Sequence, residues 1–252
     1  MKIILTKLYF LTLTYLFISI ISACSPKLKV TKTEKSVYPI IQNLPLDSQL
    51  LNFYKPYKIK LDSMMNDVVA ISDIEITKNK PEGLLNNFFA DAMYQSAKAV
   101  NIDFDIAFTN YGGLRLPLPK GNIYRYKIFE LMPFENYMVT VKFDGVNTQK
   151  FFDYMAAEGG EPISGATFTI SNKKAVDIFI NNKPFDSSQS YTILTSDYVA
   201  NGGDNGAVFY LGKEKKEYKL LLRTAILNYL EIQKKANENL NPILDGRVKI
   251  IP

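Results

Sequence analysis

The chain has 252 residues, 47% of them hydrophobic, with 16 Tyr and 16 Phe, enough for one large domain or two small ones with a real core. It contains no histidine and one cysteine, Cys24, which excludes a Ser-His-Asp triad, imidazole acid–base catalysis, a histidine-bearing metal site and any intrachain disulfide. The formal charge of +5 includes Lys2 and Lys7; without them 28 basic residues face 25 acidic ones, and no dense Lys/Arg block of the kind that binds nucleic acid is present.

Lys2 and Lys7 are the only charges before Cys24, and the apolar run "LYFLTLTYLFISIISA" separates them from it. A basic start, an apolar core and small residues before a cut predict a secretory signal over residues 1–23. The run is short for a transmembrane span, which takes about 20 residues, and it ends in small residues in place of a basic stop signal. Ile21-Ser22-Ala23-Cys24 has the lipobox pattern, so Cys24 is expected to be lipidated, which removes its thiol chemistry. The expected location is the bacterial cell envelope. No aspartate follows the cysteine, and Ser25 there favours the outer membrane or periplasm over the inner membrane. Residues 24–45 are polar with three prolines and read as a lipid-anchored tether. The domain proper is expected over 46–252.

A helix is expected across "DSQLLNFYKPYKIKLDSMMND", kinked at Pro56. The clearest helix is "LLNNFFADAMYQSAKAV", where Leu85, Phe88, Phe89, Ala92, Met93 and Ala97 share one face. "IDFDIAFTN" alternates Ile102, Phe104, Ile106 and Phe108 with other residues, which is strand spacing. "NYMVTVKF" predicts a second strand and "GVNTQKFFDYMAA" a second helix. "ATFTIS" and "AVDIFI" read as strands, "NNKPF" as a turn and "SYTILTSDY" as a strand. "KEKKEYK" at 213–219 reads as a solvated helix start, and "LLLRTAILNYLEIQKK" as the last helix. Strands and helices mix without strict alternation, which predicts an α+β domain of mixed β-sheets layered with helices.

Little on this chain supports self-sufficient catalysis. No phosphate-binding Walker loop occurs, and Asp91, Asp103, Asp105, Asp197 and Asp204 have no standard cation-loop spacing. The composition therefore favours a binding domain over a self-sufficient enzyme. "TNYGGLR" at 109–115 is the local exception: two glycines let the backbone turn sharply and approach a ligand, and Arg115 offers a charged fork. The same residues also suit a structural turn whose arginine pairs with a nearby acid.

"NNFFADAM" (86–93), "TNYGGLR", "LMPFEN" (131–136), Ser164–Gly165, "DYVANGGDNG" (197–206) and "DGR" (245–247) occur in an order that resembles the C-terminal, substrate-binding domain of the 5'-nucleotidase / UDP-sugar hydrolase family. The resemblance spans roughly residues 47–250 and implies that domain's fold. It also implies a nucleotide or nucleoside ligand whose base stacks between two aromatic rings, Phe134 and Tyr198, the second usually Phe in the family. It places Asn136 and Asp204 at base or ribose, with Asn110, Arg115 and the backbone of Gly165 completing the site. Lys78 and Lys80 stand where the family often has arginine. No cofactor is expected in this chain. The family's divalent-metal centre belongs to a separate metallophosphatase domain, which is absent here and is expected on a partner chain. Two functions follow: the binding half of a split 5'-nucleotidase, inactive alone, or a stand-alone nucleoside-binding surface lipoprotein without hydrolase activity. A degenerate interaction module is a third reading, disfavoured by the near-intact set of binding residues.

Overall fold

The computed structural model describes residues 2–22, 29–39, 41 and 45–251. Cys24 and the expected cleavage site lie outside the described residues. By its contacts the chain divides into residues 1–51 and 52–252. In the first unit, α1 (Lys2–Ser22) is a helix, and residues 29–39 form no helix or strand. No helix among the described residues is long and apolar enough to cross a membrane. The division falls within α2 (Ser48–Met65), which runs through Pro56 without a break.

The second unit is built on a five-stranded sheet of β2 (Ile106–Phe108), β4 (Tyr137–Asp144), β5 (Ile163–Ser164), β9 (Ser190–Ser196) and β10 (Lys213–Leu221), in the order β10-β4-β9-β2-β5. Both faces are covered. Ala107, Met138 and Leu194 point into a cluster with α3 (Leu84–Ala99) and α7 (Leu222–Lys235). Their neighbours Ile106, Phe108, Val139, Val141 and Ile193 point the other way. There they meet α5 (Gly145–Ala157) and strands β6 (Ala166–Ser171) and β7 (Lys174–Ile180). This is the period-two alternation that a doubly covered sheet requires. With β8 (Lys183–Pro184) and β11 (Val248–Ile251), β6 and β7 form a second sheet in the order β11-β6-β7-β8. A small ladder joins β1 (Val68–Ser72) to β3 (Gly121–Tyr124), which leads directly into α4 (Arg125–Leu131). The single turn α6 (Asp197–Ala200) follows β9 in the same way, with the Ser196 hydroxyl accepting from Val199 N–H as its N-cap.

The α+β class holds, with mixed sheets and helices on both sides. All six apolar residues read on the face of α3 are buried. The strand read over 102–108 is shorter in the fold. Ile102 and Phe104 are buried in the first cluster, but only Ile106–Phe108 join the ladder. The helix start read at "KEKKEYK" is overturned: these residues form β10, an edge strand antiparallel to β4. Tyr218 and Leu220 alternate onto the first cluster, while the lysines and glutamates line a free edge, where charge discourages pairing with another chain. Helix spacing and a charged edge strand look alike over so few residues.

Candidate ligand cleft

Strand direction decides which loops meet. β2 and β9 run parallel, with Ile106 opposite Ile193 and Ala107 opposite Leu194. β4 runs antiparallel to β9, with Met138 opposite Ser196. The C-terminal ends of β2 and β9 and the N-terminal start of β4 therefore lie at one end of the sheet. The motifs read at 109–115, 131–136 and 197–206 extend from those three ends. They enclose a cleft of about 260 Å3 lined by Asn110, Gly112, Gly113, Arg115, Phe134, Asn136, Tyr198 and Asp204.

Six of the seven ligand-contact residues expected from sequence thus share one cleft. Gly165 does not. β5 pairs antiparallel with β2, with Phe108 opposite Ile163 and Ala107 opposite Ser164, so Gly165 leaves β5 at the far end of the sheet. It lines a different cleft, with Tyr94, Asn181 and Arg247. Its backbone has φ +83°, and a Cβ there would lie 2.4 Å from the Asp105 carbonyl oxygen, so the glycine answers a packing demand.

The residue that leads into that strand at the cleft's end of the sheet is Glu161, two residues before β5, and sequence reading missed it. It is 5% exposed. Its carboxylate accepts from the Tyr111 backbone N–H and, at 3.2 Å, from Lys80 Nζ. It thereby fixes the 3-10 turn Tyr111–Gly113, which closes through Gly113 N–H to Asn110 O at 3.0 Å. Lys78 braces the same turn, donating to Leu114 O at 2.7 Å with its ammonium 4.3 Å from the Tyr111 ring centre. Burial, and then the Arg115 charge, hold the Lys78 ammonium below the ordinary lysine value. Lys80 donates to Glu158 O as well as to Glu161. Neither lysine lines the cleft; both are engaged by groups that shape its wall.

Asp204 ties two of the loops together. Its Oδ1 accepts from Tyr198 Oη at 2.9 Å, its Oδ2 accepts from Asn110 Nδ2, and its carbonyl accepts from Tyr154 Oη at 2.9 Å. Gly112 makes room for this: a Cβ there would lie 2.6 Å from Asp204 Oδ2. The Tyr198 hydroxyl is thus an anchor that a phenylalanine lacks, and its hydrogen bond to Asp204 raises the phenol above the ordinary tyrosine value.

Phe134 and Tyr198 are 41% and 46% exposed, unusual for large rings at the mouth of a preformed cleft. Phe134 is held from behind. Arg223, 9% exposed at the start of α7, donates to Met132 O at 3.3 Å and Phe134 O at 3.5 Å. Asn136 is fixed through its carbonyl, which accepts from Leu222 N–H at 2.9 Å; its side-chain amide makes no hydrogen bond among the described residues. Arg115 has no carboxylate within ion-pair distance among the described residues. Its guanidinium lies 3.4 Å from Gly112 O and 5.9 Å from the Phe134 ring centre. The acid partner that a purely structural turn called for is not there. Half-exposed rings, an open amide and a guanidinium without a carboxylate partner among the described residues line one volume, which suits a flat polar ligand bearing negative charge.

The fold and cleft together define an α+β domain with an aromatic-edged cleft at one end of its central sheet. The family model "5'-nucleotidase, C-terminal domain" matches residues 64–210, and the chain belongs to that family. The trifunctional nucleotide phosphoesterase protein YfkN of Bacillus subtilis is 24% identical over 245 residues, covering 86% of this chain and 16% of that protein. A 5'-nucleotidase of Vibrio parahaemolyticus is 27% identical over 171 residues, covering 63% of this chain and 29% of its own length. The crystal structure of a 5'-nucleotidase precursor from Thermus thermophilus shares the fold, with a TM-score of 0.66 at 21% identity over 80% of this chain and 42% of that one. The chain therefore spans less than a third of the length of those two curated relatives.

Burial raises the Glu161 carboxyl above the ordinary glutamate value, and the Tyr111 N–H and Lys80 offset only part of that. A proton held more tightly in the folded than in the unfolded chain stabilises the fold below the ordinary value. That contribution is lost as pH rises through the raised value. Glu161→Gln removes the titration but keeps an acceptor for Tyr111. Thermal midpoints measured across this pH window should therefore fall less steeply in the variant than in the parent. Equal slopes would mean that Glu161 does not titrate differently in the fold.

Proposed function

We propose that this chain is the nucleotide- or nucleoside-binding half of a split 5'-nucleotidase, whose metallophosphatase domain is on another chain. The observation that carries the reading is the convergence of Phe134, Tyr198, Asn136, Asn110, Asp204 and Arg115 on one cleft. In this reading the base lies between the Phe134 and Tyr198 rings, the Asn136 amide and Asp204 contact base or ribose, and Arg115 faces the phosphate or ribose oxygens. Stacking accepts any base, because every base has a flat face. Membership in a 5'-nucleotidase family and the names of the relatives support nucleotide catabolism as the setting.

The family's metal centre does not fit the donors on this chain. There is no histidine, and no group of three or more Asp, Glu or Cys among the described residues is placed to hold a metal ion. What this chain supplies is affinity and orientation. Positioning a bound reactant can lower a barrier by about 7–11 kcal/mol, whereas phosphomonoester hydrolysis needs acceleration of up to about 10²¹-fold, far more than positioning gives. The remainder is assigned to divalent metal on the partner.

Calorimetry with a nucleoside and nucleotide panel should show binding that Phe134→Ala and Tyr198→Ala each weaken by about tenfold or more, since a stacked base contributes about 1–3 kcal/mol. Unchanged affinity in both variants would remove the site.

Phosphate release should appear only when this protein is combined with a metallophosphatase chain in the presence of divalent metal. Metal-dependent turnover by this protein alone, abolished by Asp204→Ala, would overturn the split-enzyme reading. A partner indifferent to this protein would favour the stand-alone nucleoside-binding lipoprotein.

We also propose that Cys24 is lipidated and tethers the domain to the cell envelope, on the outer-membrane or periplasmic side. The lipobox and the uniqueness of this cysteine support it. Cys24→Ser should release the protein from membranes or block its maturation; a variant that matures and fractionates like the parent would sink the anchor.

A further inference from the structure

The helix α2 buries none of its 18 residues. Yet Leu50, Phe53, Tyr54, Tyr57, Leu61 and Met64 recur at intervals of three and four, which places them on one face. Phe53 and Tyr57 are 69% and 67% exposed. Pro56 removes one of the helix's internal hydrogen bonds, and most helical stability in proteins comes from packing an amphipathic face. Burial of the apolar face is what would stabilise it.

Charge indicates what buries it. Residues 25–65 carry seven lysines against Glu34, Asp47 and Asp62, whereas residues 66–252 carry 21 basic and 22 acidic side chains. All the net positive charge beyond the first 24 residues thus sits in the tether and α2. On the helix, Lys58 and Lys60 fall on opposite edges of the apolar stripe. Lys58 is paired with Asp62 at 2.6 Å along its edge, whereas Lys60 has no carboxylate within ion-pair distance among the described residues, so its stem can lie along the stripe with the ammonium reaching outward. A stripe of Phe, Tyr and Leu flanked by lysines, next to a lysine-rich tether, matches the surface of a bilayer containing anionic phospholipid. The apolar face meets the acyl boundary and the lysines meet the headgroup phosphates. The body of the domain, weakly acidic, has no comparable attraction to that surface.

We propose that α2 is an interfacial helix that lies in the plane of an anionic lipid surface. The site reading above does not depend on this, nor does this depend on that reading. The orientation it gives is specific: residues 50, 53, 57, 61 and 64 face lipid, while Ser63 on the other side faces water.

The test uses the full chain carrying Cys24→Ser, with an environment-sensitive fluorophore on Tyr57→Cys or on Ser63→Cys. Each is reconstituted in vesicles of phosphatidylethanolamine with phosphatidylglycerol, or of phosphatidylcholine alone. In the anionic vesicles, iodide should quench the label at 57 roughly tenfold less than the label at 63, and brominated acyl chains should quench only the label at 57. The protection should shrink in phosphatidylcholine, and also when Lys55, Lys58 and Lys60 are changed to Glu. Those side chains are exposed, so the fold should survive, which circular dichroism checks. Equal iodide quenching at both positions in anionic vesicles would overturn the proposal. So would protection at 57 that ignores lipid charge and rises with protein-to-lipid ratio, the signature of a second copy covering the stripe. Protection that appears only when a metallophosphatase chain is added would overturn it in favour of a protein partner.

Discussion

The cleft depends on the pairing of three strands. β9 is hydrogen-bonded to a parallel neighbour on one side and an antiparallel neighbour on the other. That mixed pairing brings two strand exits and one strand entry to the same end of the sheet. Three segments far apart in sequence then face each other with no long loop to carry them. The doubly buried sheet makes the register hard to change, because a one-residue slip would turn Ile193 and Leu194 each to the wrong cluster.

Secondary contacts at the cleft convert this proximity into fixed geometry. Asp204 is bonded to side chains of two loops, and the approach is possible because position 112 has no side chain. Glu161 secures the Tyr111–Gly113 turn from beneath, and Arg223 secures the backbone that carries Phe134. Glu161 and Arg223 do not line the cleft and are satisfied within the protein, so their role is support, whereas Asp204 braces two loops and also lines the cleft. Arg115 and the Asn136 amide differ in having capacity left over. That contrast separates the braces behind the cleft from Arg115 and Asn136, the lining groups left with hydrogen-bonding capacity.

The two halves of the chain divide the physical work unevenly. The domain body has near-balanced charge and its apolar groups largely internal. Residues 25–65 hold the excess positive charge, and α2 among them carries an apolar face that stays exposed. Such an asymmetry is a cost to solubility unless a surface takes it up.

Much was legible in the sequence because it is encoded locally. Helix α3 could be read from six apolar residues at helical spacing, since periodicity needs only a few turns to show. The composition, without histidine, ruled out whole classes of chemistry, and the motif order indicated the family. Six of the residues that line the cleft stood out beforehand because each sits in a short motif beside its own strand. What the sequence could not decide was strand direction. Gly165 and Glu161 flank the same two-residue strand, and only its antiparallel pairing with β2 sends the glycine away from the cleft and the glutamate toward it. "KEKKEYK" likewise became a strand because β4 offers it an edge, a partner more than seventy residues away in sequence. Local spacing fixes which face of an element is apolar; hydrogen bonding to a distant partner fixes which end of it opens on the cleft.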